Sequence, residues 1–477
     1  MAVIRKFAQL GVPALLCASL SACGGGSSAP KAASLSMEGI ASGFTGTLKL
    51  SNSGHDLLVL SKPGTFSFPN KVTPGSSYSI NVVKQPPGQY CSVLHGSGTA
   101  TSDVRDIEVQ CTHGTLHTVY AFSSSTSAGI HPTGNLVPVP ASDGSFYGTT
   151  NAGGYAGRGA LFEWSSSGGM TLLHTFLGAP KDGASPFDGP TPGPQGSVYG
   201  VTVAGGTAND GTVYMLSAQG AESVVHSFTG GAGGSQPSGP LLRLANGNFV
   251  GVTQAGGAAG VGTLYEISPS GQFTVLHSFA GGSADLKAPA GHLLLASSGI
   301  VYGVSPYGGP SNGGGVFAYD PATGAYAVQW LFAGSPGGLN PNGGLLQASD
   351  GMLYGVTAQG GAYNRGCVYQ LDPGTGAPRI VYSFTGGNDG AHPAGTPYQG
   401  DNGRIYVATL SGGAMGSGAL SSMSTSGSDF ETLDAFDNSA GALVSPTGAL
   451  VEGPHGYLYG LLYQGGPNGD GAIYALD

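Results

Sequence analysis

The chain has 477 residues, 89 of them glycine and 31 proline, and only 8% are charged. A glycine and proline share of that size is common in low-complexity chains, but 40% hydrophobic residues, with 22 Tyr and 18 Phe spread along the chain, supply a core and exclude wholesale disorder. The net charge is −10 with sparse Lys and Arg, so the chain lacks the basic footprint of a phosphate binder, and nucleic acid is excluded as an expected partner.

The first segment, "MAVIRKFAQLGVPALLCASLSAC", places Arg5 and Lys6 before an apolar run that ends in small residues. This is the layout of a secretory signal peptide over residues 1–22. Its removal takes two positive charges and no acid, which leaves a mature charge of −12. Leu20-Ser21-Ala22-Cys23 resembles the lipobox of bacterial lipoproteins. That resemblance implies lipidation of Cys23, a lipid anchor in the membrane and, because Gly24 stands where inner-membrane retention usually requires Asp, the outer membrane as destination. The alternative is ordinary signal cleavage with Cys23 incidental. Residues 23–34 then carry "GGGSSAPKAAS", a flexible tether. After residue 22, no stretch approaches the roughly 18 apolar residues that a membrane-spanning helix needs.

Residues 35–112 alternate apolar and polar residues between turns and predict a small antiparallel β-sandwich of Ig-like type. Cys91 and Cys111 both fall in this segment, and an oxidising compartment would let them pair. A core of this size is modest, so a bridge worth about 2–4 kcal/mol would matter to it. A spacer or adhesion module is the expected role.

From residue 113 to 477 one unit of about 52 residues repeats seven times. A Gly-Gly pair begins at Gly153, Gly205, Gly256, Gly308, Gly360, Gly412 and Gly465. A turn glycine (Gly144 to Gly456) and a proline (Pro132 to Pro446) recur at nearly the same spacing. Copy three shows four predicted strands: "GPLLRLA", "NFVGVTQ", "GTLYEIS" and "FTVLHSF". Asn246-Gly247, Asp143-Gly144, Asp350-Gly351 and Asn402-Gly403 join the first two strands and read as type I′ hairpin dipeptides. The middle connection, as in "GVTAQGGAYNRGCVYQL", uses glycines for backbone conformations that a Cβ disfavours. Repeated four-stranded antiparallel units predict an all-β fold, a seven-bladed β-propeller. "LHTVYAF" (Leu116 to Phe122) has the look of a fourth strand, while the chain ends on a third, "GAIYALD". The N-terminal segment is therefore expected to complete the last unit and close the ring.

The composite "P-x-G-x-L … D-G-x-L-Y-G-V-T-x-x-G-G … G-x-V-Y-x-L … L-H-S-F" is best matched by Asp350 to Leu371, Gly196 to Leu216 and Leu276 to Phe279. It resembles the GloVer tandem repeats of bacterial "choice-of-anchor" surface proteins, over roughly residues 115–477. The resemblance implies a cell-envelope location but no settled activity and no catalytic residues. Copies depart from it at Pro194-Gln195-Gly196 and at Ser421.

Candidate chemistry is thin. His117, His174, His226 and His277 read as one recurring strand slot, structural and held too far apart to form a metal cluster together. His131 and His392 precede the repeat proline. Tyr147, Tyr199, Tyr302, Tyr354 and Tyr459 share another slot, read as core packing rather than a sugar-stacking ring in the channel. The acidic run Asp429, Glu431, Asp434 and Asp437 reads as a solvated face, and "NGDG" (Asn468 to Gly471) lacks the acids of a calcium loop. Cys367 sits where sibling copies carry Thr or Ala and reads as a strand residue, not a nucleophile. No catalytic, cofactor or metal residue is assigned. The favoured expectation is a non-enzymatic binding or display protein for a glycan, peptide or protein partner. The alternative is an extracellular polysaccharide-active hydrolase or lyase, which would need two acids, or an acid with a histidine, converging at the ring axis.

Overall fold

The computed structural model describes residues 34–476, apart from residues 126, 141, 143, 377 and 438–442. The signal segment, Cys23 and the tether up to residue 33 lie outside the described residues, as does Asp143.

The N-terminal unit is two four-stranded sheets. One orders its strands Gly64–Ser67, Met37–Ser42, Val104–His113, Gln89–Leu94; the other orders them Asp56–Leu60, Leu48–Asn52, Ser77–Lys84, Ser97–Thr99. Phe44, Leu48, Leu50, Ile107 and Val109 are fully buried between them, and Cys91 is bonded to Cys111 on the paired strands beside that core. The unit is not wholly antiparallel: Met37–Ser42 runs parallel to Val104–His113. Alternation reports which residues face the core, and it carries no information about strand direction.

Seven four-stranded antiparallel sheets follow among the described residues, the first six meandering through strands in chain order; the second splits its first strand into Gly183–Pro186 and Thr191–Pro192. The seventh orders its strands Leu443–Glu452, Leu458–Gly465, Ala472–Leu476, Leu116–Ala121. Leu116 pairs with Leu476 and Ala121 with Ala472, so the segment that precedes the first repeat is the outer strand of the last. Seven buried apolar clusters fill the seven seams between neighbouring sheets. The seventh seam packs Phe146, Phe162 and Trp164 of the first sheet against Phe122, Tyr459, Leu461 and Ile473 of the last, which closes the ring.

The recurring markers are contact partners across these seams. A Cβ on Gly366 would lie 2.5 Å from Pro393 Cδ of the next sheet, and one on Gly471 2.4 Å from Pro132 Cδ across the closing seam. The residue before the repeat proline holds a positive φ in all seven copies, between 52° and 57°, at His131, Ser185, Gln236, Ala288, Asn340, His392 and Ser445. That turn aims its N–H at the preceding sheet: His131 N–H donates to Asp470 O (2.8 Å), Gln236 to Asp210 O (2.9 Å) and His392 to Arg365 O (2.9 Å). His131 and His392 are thus held by a backbone role. Within the glycine-rich connection, Asn364 Oδ1 accepts from Gly360 N–H (3.1 Å), as Asn209 does from Gly205 (3.0 Å).

The hairpins differ from the expected type. At Asn246-Gly247 only the glycine has positive φ, at 87°. Gly247 N–H donates to Leu244 O and Leu244 N–H to Asn248 O, which makes a three-residue loop: a type I turn followed by a left-handed glycine. Two successive left-handed residues occur instead at Gln195-Gly196 (φ 56° and 76°) and His455-Gly456 (66° and 83°).

The N-terminal unit docks on the hairpin end of sheets six and seven. Tyr406 Oη donates to Pro87 O (2.9 Å), Gln85 N–H to His455 O (2.6 Å), and Lys84 pairs with Asp401 (3.0 Å) and Glu452. Partial burial works against the Lys84 charge, but its bonds to Glu452 and Asp401 outweigh that and hold the ammonium above its ordinary pKa.

The tightest approach lies at the axis. From sheet three round to sheet one, the glycine two residues past the repeat proline packs on the same glycine of the next sheet. A Cβ on Gly291 would stand 1.6 Å from Gly343 O, one on Gly395 1.9 Å from Gly448 O, and one on Gly448 1.9 Å from Gly134 O. Gly299 has nearly the same φ (85° against 84°) but nothing within 4 Å. Gly299→Ala is therefore expected to cost about 1 kcal/mol for its backbone alone, and Gly291→Ala about 2–4 kcal/mol because overpacking adds to the same backbone term. Denaturant midpoints of the two variants measure the difference; equal midpoints would show that the axial contacts do not hold the ring.

Candidate functional site

A cavity of about 330 Å³ opens at the ring axis, walled by the first strands of six of the seven sheets, among them Gly134, Asp188, His292, Asn342, Gly395 and Thr447. Leu410 and Tyr463, near the ends of second strands, complete the wall. Those strands run away from the hairpins, so the cavity faces the end of the ring opposite the N-terminal unit.

Its polar side comes from three residues that break the repeat. Six copies place one residue between the repeat proline and the axial glycine, as in Pro237-Ser238-Gly239; copy two places two, Phe187 and Asp188. The extra residue puts the Asp188 side chain where the siblings have backbone, with Oδ1 at 2.0 Å from a Cβ built on Gly134. Asp188 is 5% exposed. Its Oδ1 accepts from the N–H groups of Asn135 (2.9 Å) and Gly189 (2.8 Å), and its Oδ2 lies 3.0 Å from His292 Nε2. His292 Nδ1 meets Asn135 Nδ2 at 3.1 Å, while Asn135 Oδ1 accepts from Ala449 N–H. The Asn135 amide is therefore the donor to Nδ1, and the ring carries its hydrogen on Nε2, donated to Asp188. Sheets one, two, four and seven are tied together across the axis, and both imidazole nitrogens are occupied. Two hydroxyls beside this network are buried without a hydrogen-bond partner among the described residues: Thr447 Oγ1, in the cavity wall, and Thr396 Oγ1. A bound hydroxyl, amide or water would satisfy them.

Asp188, Asn135 and His292 are absent from the candidates read from sequence, which track what recurs rather than what interrupts. The candidates themselves fall elsewhere. His174, His226 and His277 do share a slot, each edge-on to the phenylalanine two residues later at 4.9–5.0 Å. His117 does not. Tyr120 fills that slot, pairing with Ile473 and packing on Phe122 at 5.0 Å, while His117 pairs with Ala475. Tyr199, Tyr302, Tyr354 and Tyr459 are buried in the seams, away from the axis, and Tyr147 is half-buried beside them. The acidic run is in part a solvated face, with the Asp429 and Glu431 side chains 48% and 42% exposed, and in part a joint. Asp429 pairs with Arg404 (2.7 Å), Glu431 with His113 of the N-terminal unit (3.1 Å), and Asp434 accepts from Leu116 N–H (2.9 Å) on the ring-closing strand. In "NGDG", Asn468 donates to Phe122 O (2.8 Å) and Asp470 accepts from Ser124 N–H (2.8 Å), so both hold the segment after that strand. Cys367 is a fully buried strand residue; its thiol sits 3.1 Å from Thr357 Oγ1, where sibling sheets pair Thr253 with Thr263. Burial pushes that thiol up to about 11, which removes it as a nucleophile.

The model of the Gloeobacter/Verrucomicrobia repeat matches residues 78–314 and 289–477. The chain belongs to this repeat family. The match starts within the N-terminal unit, upstream of the first repeat counted above. No curated protein matches the chain in sequence. Among solved structures, the repeat protein is similar to the extracellular domain of a putative hybrid two component system, BT4673 from B. thetaiotaomicron, with a TM-score of 0.51 at 12% identity over 76% of this chain and 40% of that one. Virginiamycin B lyase from Staphylococcus aureus aligns at 12% identity over 76% of this chain and 98% of that one, with a TM-score of 0.49. An oligogalacturonate lyase in complex with manganese gives the same score and identity over 76% and 97%. These likenesses are of fold: all-β and propeller-like.

Removing Asp188 strands His292 and two backbone donors. Asp188→Ala is expected to cost about 2–4 kcal/mol, and His292→Ala less, about 1–2 kcal/mol, because the carboxylate keeps its backbone donors. Denaturation of the two single variants and the double variant checks this; additive costs would mean that the pair is not coupled.

Proposed function

We propose that this repeat protein is a lipid-anchored β-propeller of seven blades that binds and displays a partner at its axial cavity without covalent chemistry. The partner class is a glycan, a peptide or a protein segment. The observation that carries the reading is the state of the axial polar groups. Both nitrogens of His292 and both oxygens of Asp188 are committed to intramolecular bonds, so neither offers a free base or acid to a substrate. Thr447 Oγ1, by contrast, is unpartnered in the wall of a cavity whose size suits one sugar unit or one side chain. The anchor reading supports the same picture. A signal peptide over residues 1–22, lipidation at Cys23 and an Ig-like spacer would tether the chain on the hairpin side of the ring and leave the cavity facing away from the membrane.

A second reading, a hydrolase or lyase acting on extracellular polysaccharide, draws support from the convergence of Asp188 and His292 at the axis. Glycan-array and polysaccharide pull-down experiments with the mature chain separate the two. Retained ligand with no shortened product on chromatography is expected, together with a three- to tenfold loss of affinity in Thr447→Val, the worth of about one hydrogen bond. Turnover abolished by Asp188→Asn would instead establish the enzyme. Replacing Cys23 by Ser is expected to move the protein from the membrane to the soluble fraction; continued sedimentation with membranes would remove the anchor.

A further inference from the structure

A second polar cluster lies at the outer rim, in the seam between the first and second sheets. The slot that holds His174 recurs in other seams, and there an aromatic ring from the following sheet closes it. Phe273 stacks on His226 at 4.3 Å, Tyr326 on His277 at 3.5 Å, and Phe430 on Tyr382 at 3.7 Å. The second sheet carries Glu222 at this register: Glu222 pairs with Leu216 as Phe273 pairs with Ile267 and Tyr326 with Tyr319. Asp182 also points in. Its Oδ2 accepts from Leu177 N–H (2.7 Å) and lies 3.2 Å from His174 Nε2, and its Oδ1 accepts from Gly183 N–H (2.6 Å). One ligand atom each from His174, Asp182 and Glu222 falls within 4.8 Å of the others.

We propose that His174, Asp182 and Glu222 form a site for one divalent transition ion of borderline softness, of the zinc class. One imidazole and two carboxylates suit such an ion better than calcium, which takes oxygen ligands, or copper(I), which prefers sulfur. A further observation supports the site. Glu222 Oε1 is buried with no hydrogen-bond partner among the described residues, the state of a ligand atom awaiting its ion. The His174 side chain is 20% exposed, which leaves a path for entry. Binding would take the Glu222 carboxylate and a neutral imidazole, with any displaced proton released to solvent. The seam that holds His277 is an internal control: the Tyr326 hydroxyl already donates to Asp285 (2.9 Å) and its ring covers the histidine.

The test uses the full chain stripped with chelator and titrated with Zn²⁺ by calorimetry and with Co²⁺ by visible absorption. One equivalent per chain is expected, with Co²⁺ d–d bands. Glu222→Gln is expected to weaken binding at least tenfold, and Asp285→Asn to leave it unchanged. Glu222→Phe restores the ring used by the sibling seam and is expected to fold, to stack on His174 and to bind no metal. Absence of stoichiometric uptake by the wild-type chain overturns the proposal. So does undiminished uptake by Glu222→Gln, or one equivalent retained by a folded Glu222→Phe chain.

Discussion

Seven sheets can meet around one axis only if their innermost backbones come within van der Waals contact, and the glycine after each repeat proline is what permits it. At Gly291 the space where a Cβ would sit is already taken by the carbonyl of Gly343. The same contact passes from Gly239 through Gly291, Gly343, Gly395 and Gly448 to Gly134, and only sheet two interrupts it, where the Asp188 side chain takes the place of backbone. The approach also fixes the neighbours. With the axial glycine seated, the preceding proline lies against the glycine that opens the previous sheet's third strand, and the residue before the proline must turn left-handed to reach that sheet's carbonyl. The strain of a left-handed residue with a side chain, about 1–2 kcal/mol per position, is offset by an intersheet hydrogen bond and by seam packing.

A ring assembled by near-identical contacts has one weak point, where the chain begins and ends. Here the closing seam combines three kinds of interaction. Backbone pairing joins Leu116–Ala121 to Ala472–Leu476, an aromatic cluster fills the space between, and polar clamps from Asp434, Asn468 and Asp470 hold the entering segment. Asp434 and Asp470 are therefore engaged in closure, and Glu431 in the joint with the N-terminal unit.

Much of this was legible in the sequence because each marker answers one steric demand. Glycine marks close approach, proline marks a fixed φ after a turn, and a two-residue alternation marks the strands. The closing role of the segment at Leu116 followed from the phase of the repeat alone. What failed was resolution below the level of the unit. A Leu-His dipeptide drew His117 into the histidine slot, whereas the aromatic-small-Phe pattern of Tyr120-Ala121-Phe122 is what fits the pleat. An Asn-Gly pair looks the same in a two-residue and a three-residue hairpin, and the hydrogen bonds of Leu244 select the latter. The direction of Met37–Ser42 leaves no trace in its alternation.

The polar sites were missed for a different reason, and it bears on how repeat proteins acquire function. A repeat optimised for closure offers no chemistry, since every side chain that recurs has a packing duty. Function has to enter where one copy departs from the rest and the ring tolerates the change. The additional residue between Pro186 and Gly189 swings a carboxylate into the axis, where Asn135 and His292, themselves in positions filled by Pro240, Gly344 or Ala449 in other copies, can meet it. Glu222 in place of an aromatic opens a rim slot that its siblings keep shut. Both departures put charge into seams that are otherwise apolar or backbone-lined, at a cost in desolvation that packing alone would not favour. Each is a break in the register or composition of the repeat.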